Sequence, residues 1–275
     1  MWGGCLFLGF CSLSLYMTLN IPVNNNVKLK KLLDKVNSDV ELQTLWTSSN
    51  IVAIDRAHMS DHGPTHVAIV TNAALLLLRN LIKSGVEPSI VKDHKLKPED
   101  AECVVFLAGC LHDVGHVVHR NDHVLHSITV ASPILKRLLQ GVYKVKDATI
   151  VYGEVLHAIL AHSTEVKPLT VEAGVVRISD ALDMAEGRSR IPFSIGEKNI
   201  HSVSAQSIKS VKIEYTKDKP INLKIEMTNS AGIYQVDNLL KDKVSGSGLE
   251  KYVKVMAEIK KPTEQRIIDA YEFEV

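Results

Sequence analysis

Aromatic residues are scarce. They make up 5% of the 275 residues, too few for a stacking surface that grips single-stranded nucleic acid. The core must be mainly aliphatic, and 45% hydrophobic residues are enough to build a sizeable one. Charge of one sign is missing as well. The 32 Lys and Arg nearly match 31 Asp and Glu, giving a formal net charge of +1 without a basic or acidic block. Neither a duplex-binding face nor a polyanionic tail is expected, and long nucleic acid is not an expected partner. Cysteine is limited to Cys5, Cys11, Cys103 and Cys110, with no C-x-x-C pair. Cys103 and Cys110 fall on one face of a predicted helix and read as reduced, buried thiols of a cytoplasmic protein. The chain shows no internal repeat and no long low-complexity linker.

The first sixteen residues, MWGGCLFLGFCSLSLY, contain no Lys or Arg. A secretory signal needs a basic start and a small-residue cleavage site. The apolar run is also too short for a transmembrane helix. The segment reads as the product of an upstream start, with Met17 as the initiator; a membrane anchor is the alternative. Residues 1–26 are thus expected to lie outside the folded domain.

From Val27 to about Arg190 the apolar spacing is helical. Short helices are predicted over Val27–Val36 and Asp39–Ser48. Gly63-Pro64 signals the start of a longer one running to about Ser84, with His66, Val70, Ala73, Leu77 and Leu81 facing inward. Pro98 opens the next, with Glu99 and Asp100 in its first turn, and Gly115 stops the chain just beyond its end. Further helices are predicted over His123–Gln140, Asp147–His162 and Thr170–Glu186. After Pro192 the pattern changes. SVKIEYTKDKPINLKIEM alternates as a hairpin does, NSAGIYQVDNLLKDK reads as a capped helix, and YVKVMAEIK and AYEFEV read as strands. The expected fold is mainly α, a helical core over 27–194 with an α+β appendage over 195–275.

The abundant chemical group is imidazole. The chain has 12 histidines, clustered between His58 and His162, with His201 beyond. His66 falls in the first turn of one predicted helix. His112 and Asp113 end another, His123 begins a third, His162 ends a fourth and Asp180 lies in a fifth. Neighbours on a straight helix point about 100° apart. At a helix end the backbone can turn, so His112 and Asp113 can converge on one ion, at the negative end of the helix dipole. Imidazole with carboxylate suits Mn²⁺, Fe²⁺, Co²⁺, Ni²⁺ or Zn²⁺, and the lack of cysteine argues against a structural zinc knuckle. Asp113, with two oxygens, can bridge a second metal, and a hydroxide between two ions is a nucleophile at neutral pH.

The ordered set His66, His112-Asp113, Asp180 resembles the H…HD…D signature of the HD-domain metal-dependent phosphohydrolases. HVAIV at 66–70, LAGCLHDVGH, HVLHSITVA, AILAHS and VRISDALDMA resemble that family's segments in order, over about residues 60–190. The resemblance implies an HD-type helical core. It implies a first metal held by His66, His112, Asp113 and Asp180, and a second held by Asp113, His123 and His162. Mg²⁺ joins the candidate ions. Many two-metal members carry Lys after HD-x-G; here it is His116, which puts the substrate analogy with the cyclic-dinucleotide branch in doubt.

Other residues are weighed beside these. Buried charge without a metal or partner is costly, which favours ligation over an ordinary core role for the main set. His126, one turn from His123, is the substitute for it. His157 is expected on a helix surface. His116 is expected to contact phosphate or act as a general acid, or else to hydrogen-bond to a ligand. His62, Arg188 and Arg190 are candidate substrate contacts, with solvent exposure as the alternative. Asp183 is expected to pair with a base. The appendage carries no ligand cluster and is expected to supply no catalytic group, shaping access or a homodimer contact instead.

The expected function is metal-dependent hydrolysis of a phosphoester, with a nucleotide or other small phosphorylated molecule as substrate. A non-catalytic nucleotide sensor and a di-iron oxygenase are the alternatives.

Overall fold

The computed structural model describes residues 17–185 and 204–259, with the backbone of a further strand at 270–274. Arg188 and Arg190 lie outside the described residues. The helical part comprises α1 (Val27–Ser38), α2 (Val40–Asn50), α3 (Pro64–Lys83), α4 (Ser89–His94), α5 (Pro98–Leu111), α6 (His123–Leu139), α7 (Val145–Ala161) and α8 (Val171–Ala181). A π-helical turn (Ile51–Arg56) follows α2, and a 3-10 turn (Val114–Val117) lies between α5 and α6.

Local chemistry sets these bounds. Asn26, Asp39 and Thr170 cap α1, α2 and α8 by accepting from the backbone N–H of Leu29, Leu42 and Ala173. Pro64 and Pro98 open α3 and α5, where no N–H is needed. α8 ends at Ala181, short of the predicted Glu186. The chain leaves the helix there and Asp183 turns back to His66 Nδ1.

The centre of the bundle is α5, which packs against α3, α7 and α8. It is apolar nearly all round, and its residues from Cys103 to Leu111 are buried. Cys103 and Cys110 are buried free thiols, and burial pushes Cys103 up to about 12. α3 is the one helix among the described residues long and apolar enough to cross a membrane, and 61% of its apolar window is buried in the bundle. Leu19 and Ile21 pack into the same core, and the Leu19 backbone is paired with the Asn37 side chain. Part of the segment expected outside the domain is therefore built into it.

The appendage is a sheet in the order β1-β2-β3-β4, with β1 Ile208–Glu214, β2 Ile221–Met227, β3 Val253–Ile259 and β4 Ala270–Glu274. β1 and β2 form the predicted hairpin, β2 and β3 are parallel, and β3 and β4 antiparallel. β3 alternates strictly between buried and half-buried positions, as a one-face-packed strand does. The β2–β3 crossover holds a 3-10 turn (Ser230–Gly232), a π-helical segment (Gln235–Leu240) and α9 (Lys241–Ser245), where a single capped helix was predicted. Its cap is Asn229, which accepts from Ala231 N–H. Leu223, Val236, Val244 and Val255 belong to one hydrophobic cluster with the bundle residues, so the two parts share a core.

Candidate metal centre

Five elements deliver the polar residues to one place. His112 caps α5 in helical conformation, and Asp113 departs from it at φ −111°, ψ 4°. This turn brings the two side chains together: His112 Nε2 lies 3.3 Å from Asp113 Oδ2. His66, in the first turn of α3, also places Nε2 3.3 Å from Asp113 Oδ2. Asp180, near the end of α8, places Oδ1 3.5 Å from His66 Nε2 and 3.8 Å from His112 Nε2.

The other oxygen of Asp113 faces a second set. Oδ1 lies 3.5 Å from His123 Nε2, 3.7 Å from His162 Nε2 and 3.7 Å from His116 Nε2. Glycine makes this approach feasible. A Cβ on Gly115 would sit 2.1 Å from the His123 carbonyl oxygen and 2.2 Å from Ser127 N. Gly115 N–H donates to Ser127 Oγ at 2.8 Å, so the small buried serine receives the turn and α6 starts directly upon it. Three groups of ligand-type side chains result: His66, His112, Asp113 and Asp180; Asp113, His123 and His162; and His62, Asp113 and His116. His126 is in none of them.

The hydrogen bonds indicate which ring nitrogens face the centre with lone pairs. His66 Nδ1 is 2.7 Å from Asp183 Oδ2, His112 Nδ1 2.9 Å from the Gly109 carbonyl, His162 Nδ1 2.6 Å from the Ile159 carbonyl and His123 Nδ1 3.1 Å from the Arg120 carbonyl. For His66, His112 and His162 the partner is an acceptor, so Nδ1 donates and Nε2 faces the centre; His123 Nδ1 lies beside both the Arg120 carbonyl and, at 3.3 Å, the donor Arg120 Nη1. His66 Nε2 and His112 Nε2 face one another at 3.1 Å. With both Nδ1 atoms acting as donors, neutral rings have no proton to place between them. Converging lone pairs next to two carboxylates fit a divalent cation, and outer hydrogen bonds of this kind orient metal-binding histidines.

Electrostatics agrees. Burial holds His162 down at about 3 and His116 at about 4. Burial also lowers His123, with Asp113 opposing the shift and Arg120 adding to it. Burial opposes the charge on Asp113, but His112 first, then hydrogen bonds with His112 and His66, hold its carboxyl well below the usual range. For Asp180 burial is likewise outweighed, chiefly by Lys243. His116, His123 and His162 are thus neutral and Asp113 and Asp180 ionised at neutral pH, the states in which such groups bind metal.

His62 is buried, its Nδ1 2.7 Å from the Ser60 carbonyl and its ring 4.6 Å from that of His116. His157, expected on the surface, is half-buried and accepts from Leu169 N–H. Sequence reasoning missed two residues. Arg120 places Nη1 3.4 Å from His116 Nε2 and 3.3 Å from His123 Nδ1. Lys243, on α9, donates to Asp180 Oδ2 at 2.9 Å. The appendage was expected to supply no catalytic group and to shape access or a dimer contact; its Lys243 also touches a candidate ligand. Neither residue carries a motif; the approach of a separate element reveals Lys243, whereas Arg120 meets residues three and four positions away along the chain.

A family model for the HD domain matches residues 65–185, the segment that carries every residue of the first two ligand groups. The chain belongs to the HD-domain family, whose members bind divalent metal and are commonly hydrolases. It is 42% identical over 232 residues to uncharacterized protein MJ1020 of Methanocaldococcus jannaschii, covering 84% of this chain and 90% of that protein. It is 36% identical over 113 residues to ribonuclease Y of Thermoanaerobacter pseudethanolicus, covering 41% of this chain and 20% of that enzyme.

Proposed function

We propose that the protein hydrolyses a phosphoester of a small molecule, with a nucleotide as the substrate class, using two divalent ions held about Asp113. The observation that carries this reading is the division of Asp113. Oδ2 faces the His66, His112 and Asp180 group, and Oδ1 faces His123 and His162. Ions held there would supply Lewis acidity, making water nucleophilic near neutral pH and drawing charge from a phosphoryl oxygen.

The chain's own residues orient the substrate. Arg120 is a cation beside the His123 side of the second group, and its planar donors suit a phosphate. His116 is neutral, so it serves as a hydrogen-bonding partner of a phosphoryl oxygen instead of a charged contact. His62 flanks it. The likeness to a ribonuclease supports a phosphodiester as the first bond to test. The near-neutral charge and few aromatics support a small substrate over a long strand.

The test is a panel of nucleotides, cyclic dinucleotides and generic phosphoesters assayed with Mn²⁺, Co²⁺, Ni²⁺ and Mg²⁺. Turnover that a chelator abolishes and added metal restores is expected. Nucleotide binding that survives EDTA without turnover would replace this reading with a sensor; oxygen consumption with mixed-valent iron would replace it with an oxygenase.

A further inference from the structure

Lys243 Nζ donates to Asp180 Oδ2 at 2.9 Å and to the His162 carbonyl at 2.6 Å. Asp180 belongs to one ligand group and His162 to the other. One ammonium therefore spans the ends of α7 and α8, each of which presents a ligand to a different half of the centre. Its side chain is 17% exposed and that of Asp180 15%, so the pair is shielded from the water that makes surface pairs weak.

The position of Lys243 is enforced. Arg177, on α8 one turn before Asp180, donates from Nε to the Lys243 carbonyl at 3.1 Å and from Nη2 to the Asp242 carbonyl at 3.3 Å. Its Nη1 holds the Ser163 and Val166 carbonyls in the loop after α7. A Cβ on Gly246 would lie 2.3 Å from Arg177 Nη2, and one on Gly174 would lie 2.4 Å from the Ser247 carbonyl oxygen. Two glycines and one buried arginine thus dock α9 onto α8, with Lys243 aimed at Asp180.

We infer that Lys243 is a positioning residue of the metal centre: the appendage supplies the cation that fixes Asp180 and the end of α7 relative to each other. With Oδ2 engaged by Lys243, Asp180 presents Oδ1 towards His66 and His112. The ammonium also offsets carboxylate charge next to the ions. The inference rests on the two-ion reading above.

The test uses the full chain as wild type, Lys243→Met and Lys243→Arg, each loaded with two equivalents of Mn²⁺. Electron paramagnetic resonance reads the coupling between the two ions, and hydrolysis of bis(p-nitrophenyl) phosphate gives kcat and KM. Lys243→Met is expected to lose most of the coupled signal and to lower kcat ~10- to 100-fold, with KM moving less than about threefold. Lys243→Arg, which keeps charge and donors, is expected to restore both. Lys243→Gln takes the place of the Met variant if that one does not fold. A coupled signal and kcat unchanged in the neutral variant would overturn the inference while leaving the two-ion reading intact. Equal loss in the Met and Arg variants would overturn it too, since side-chain shape and not charge would then be what the site needs. Absence of a coupled pair in the wild type would overturn the two-ion reading itself and this inference with it.

Discussion

His66 Nδ1 stands 2.7 Å from Asp183 Oδ2, both groups buried. This contact fixes the ring's tautomer and turns its Nε2 towards Asp113 and His112. Asp183 lies three residues beyond Asp180, so the last turn of α8 supplies a candidate ligand and the excursion just after it supplies the residue that orients another.

Asp183→Ala should lower metal affinity ~10- to 100-fold without changing the number of ions bound at saturation. A Mn²⁺ titration of the chelated protein measures this. Affinity unchanged from wild type would mean that His66 is oriented by packing and not by Asp183.

The second ligand group should be separable from the first. His123→Ala and His162→Ala should each bind about one ion in place of about two, with strongly reduced turnover. Metal analysis after gel filtration counts the ions. Wild-type content in both variants would move the second ion elsewhere, to the His62 and His116 side of Asp113.

The lowered histidines set the acid stability of the metal-free protein. His162 and His116 bind protons at about 3 and about 4 in the folded chain, against 6.5 ordinarily. Between pH 6.5 and those values the unfolded chain holds more protons, so folding stability falls as pH falls through that window. The loss is on the order of 2 kcal/mol per ring by pH 5. Above pH 6.5 these rings add no pH dependence. Urea unfolding of the EDTA-treated protein at pH 7.5, 6 and 5 checks this; a midpoint that holds steady or rises as pH falls would contradict it.

Much of the site was legible in the sequence because its signals are local. Pro64 and Pro98 start helices, Gly115 lies in the tight turn just beyond α5, and the His-Asp pair sits where a helix stops. These features place His66, His112 and Asp113 without long-range information. The stripe from His66 to Leu81 is inward as its spacing requires. Part of what was hidden depends on how separate elements meet. Lys243 ends the segment NSAGIYQVDNLLKDK, which reads only as a capped helix, and only the docking of α9 on α8 brings it to Asp180. Arg120 sits in a loop without periodicity. Leu19 and Ile21 follow an apolar segment unlike the rest of the chain, and their burial depends on the pairing of Leu19 with Asn37. The π-helical segments at Ile51–Arg56 and Gln235–Leu240 have no apolar period that separates them from α-helix.

The central claim is that one carboxylate joins two metal half-sites, and metal stoichiometry of Asp113→Ala tests it most directly. Asp113 is the residue common to all three ligand groups. Plasma emission analysis of wild type reconstituted with Mn²⁺ should give about two ions per chain. The folded Asp113→Ala protein, checked by circular dichroism, should retain fewer than one and show no metal-dependent phosphoesterase activity. Two ions and undiminished turnover in that variant would contradict the account.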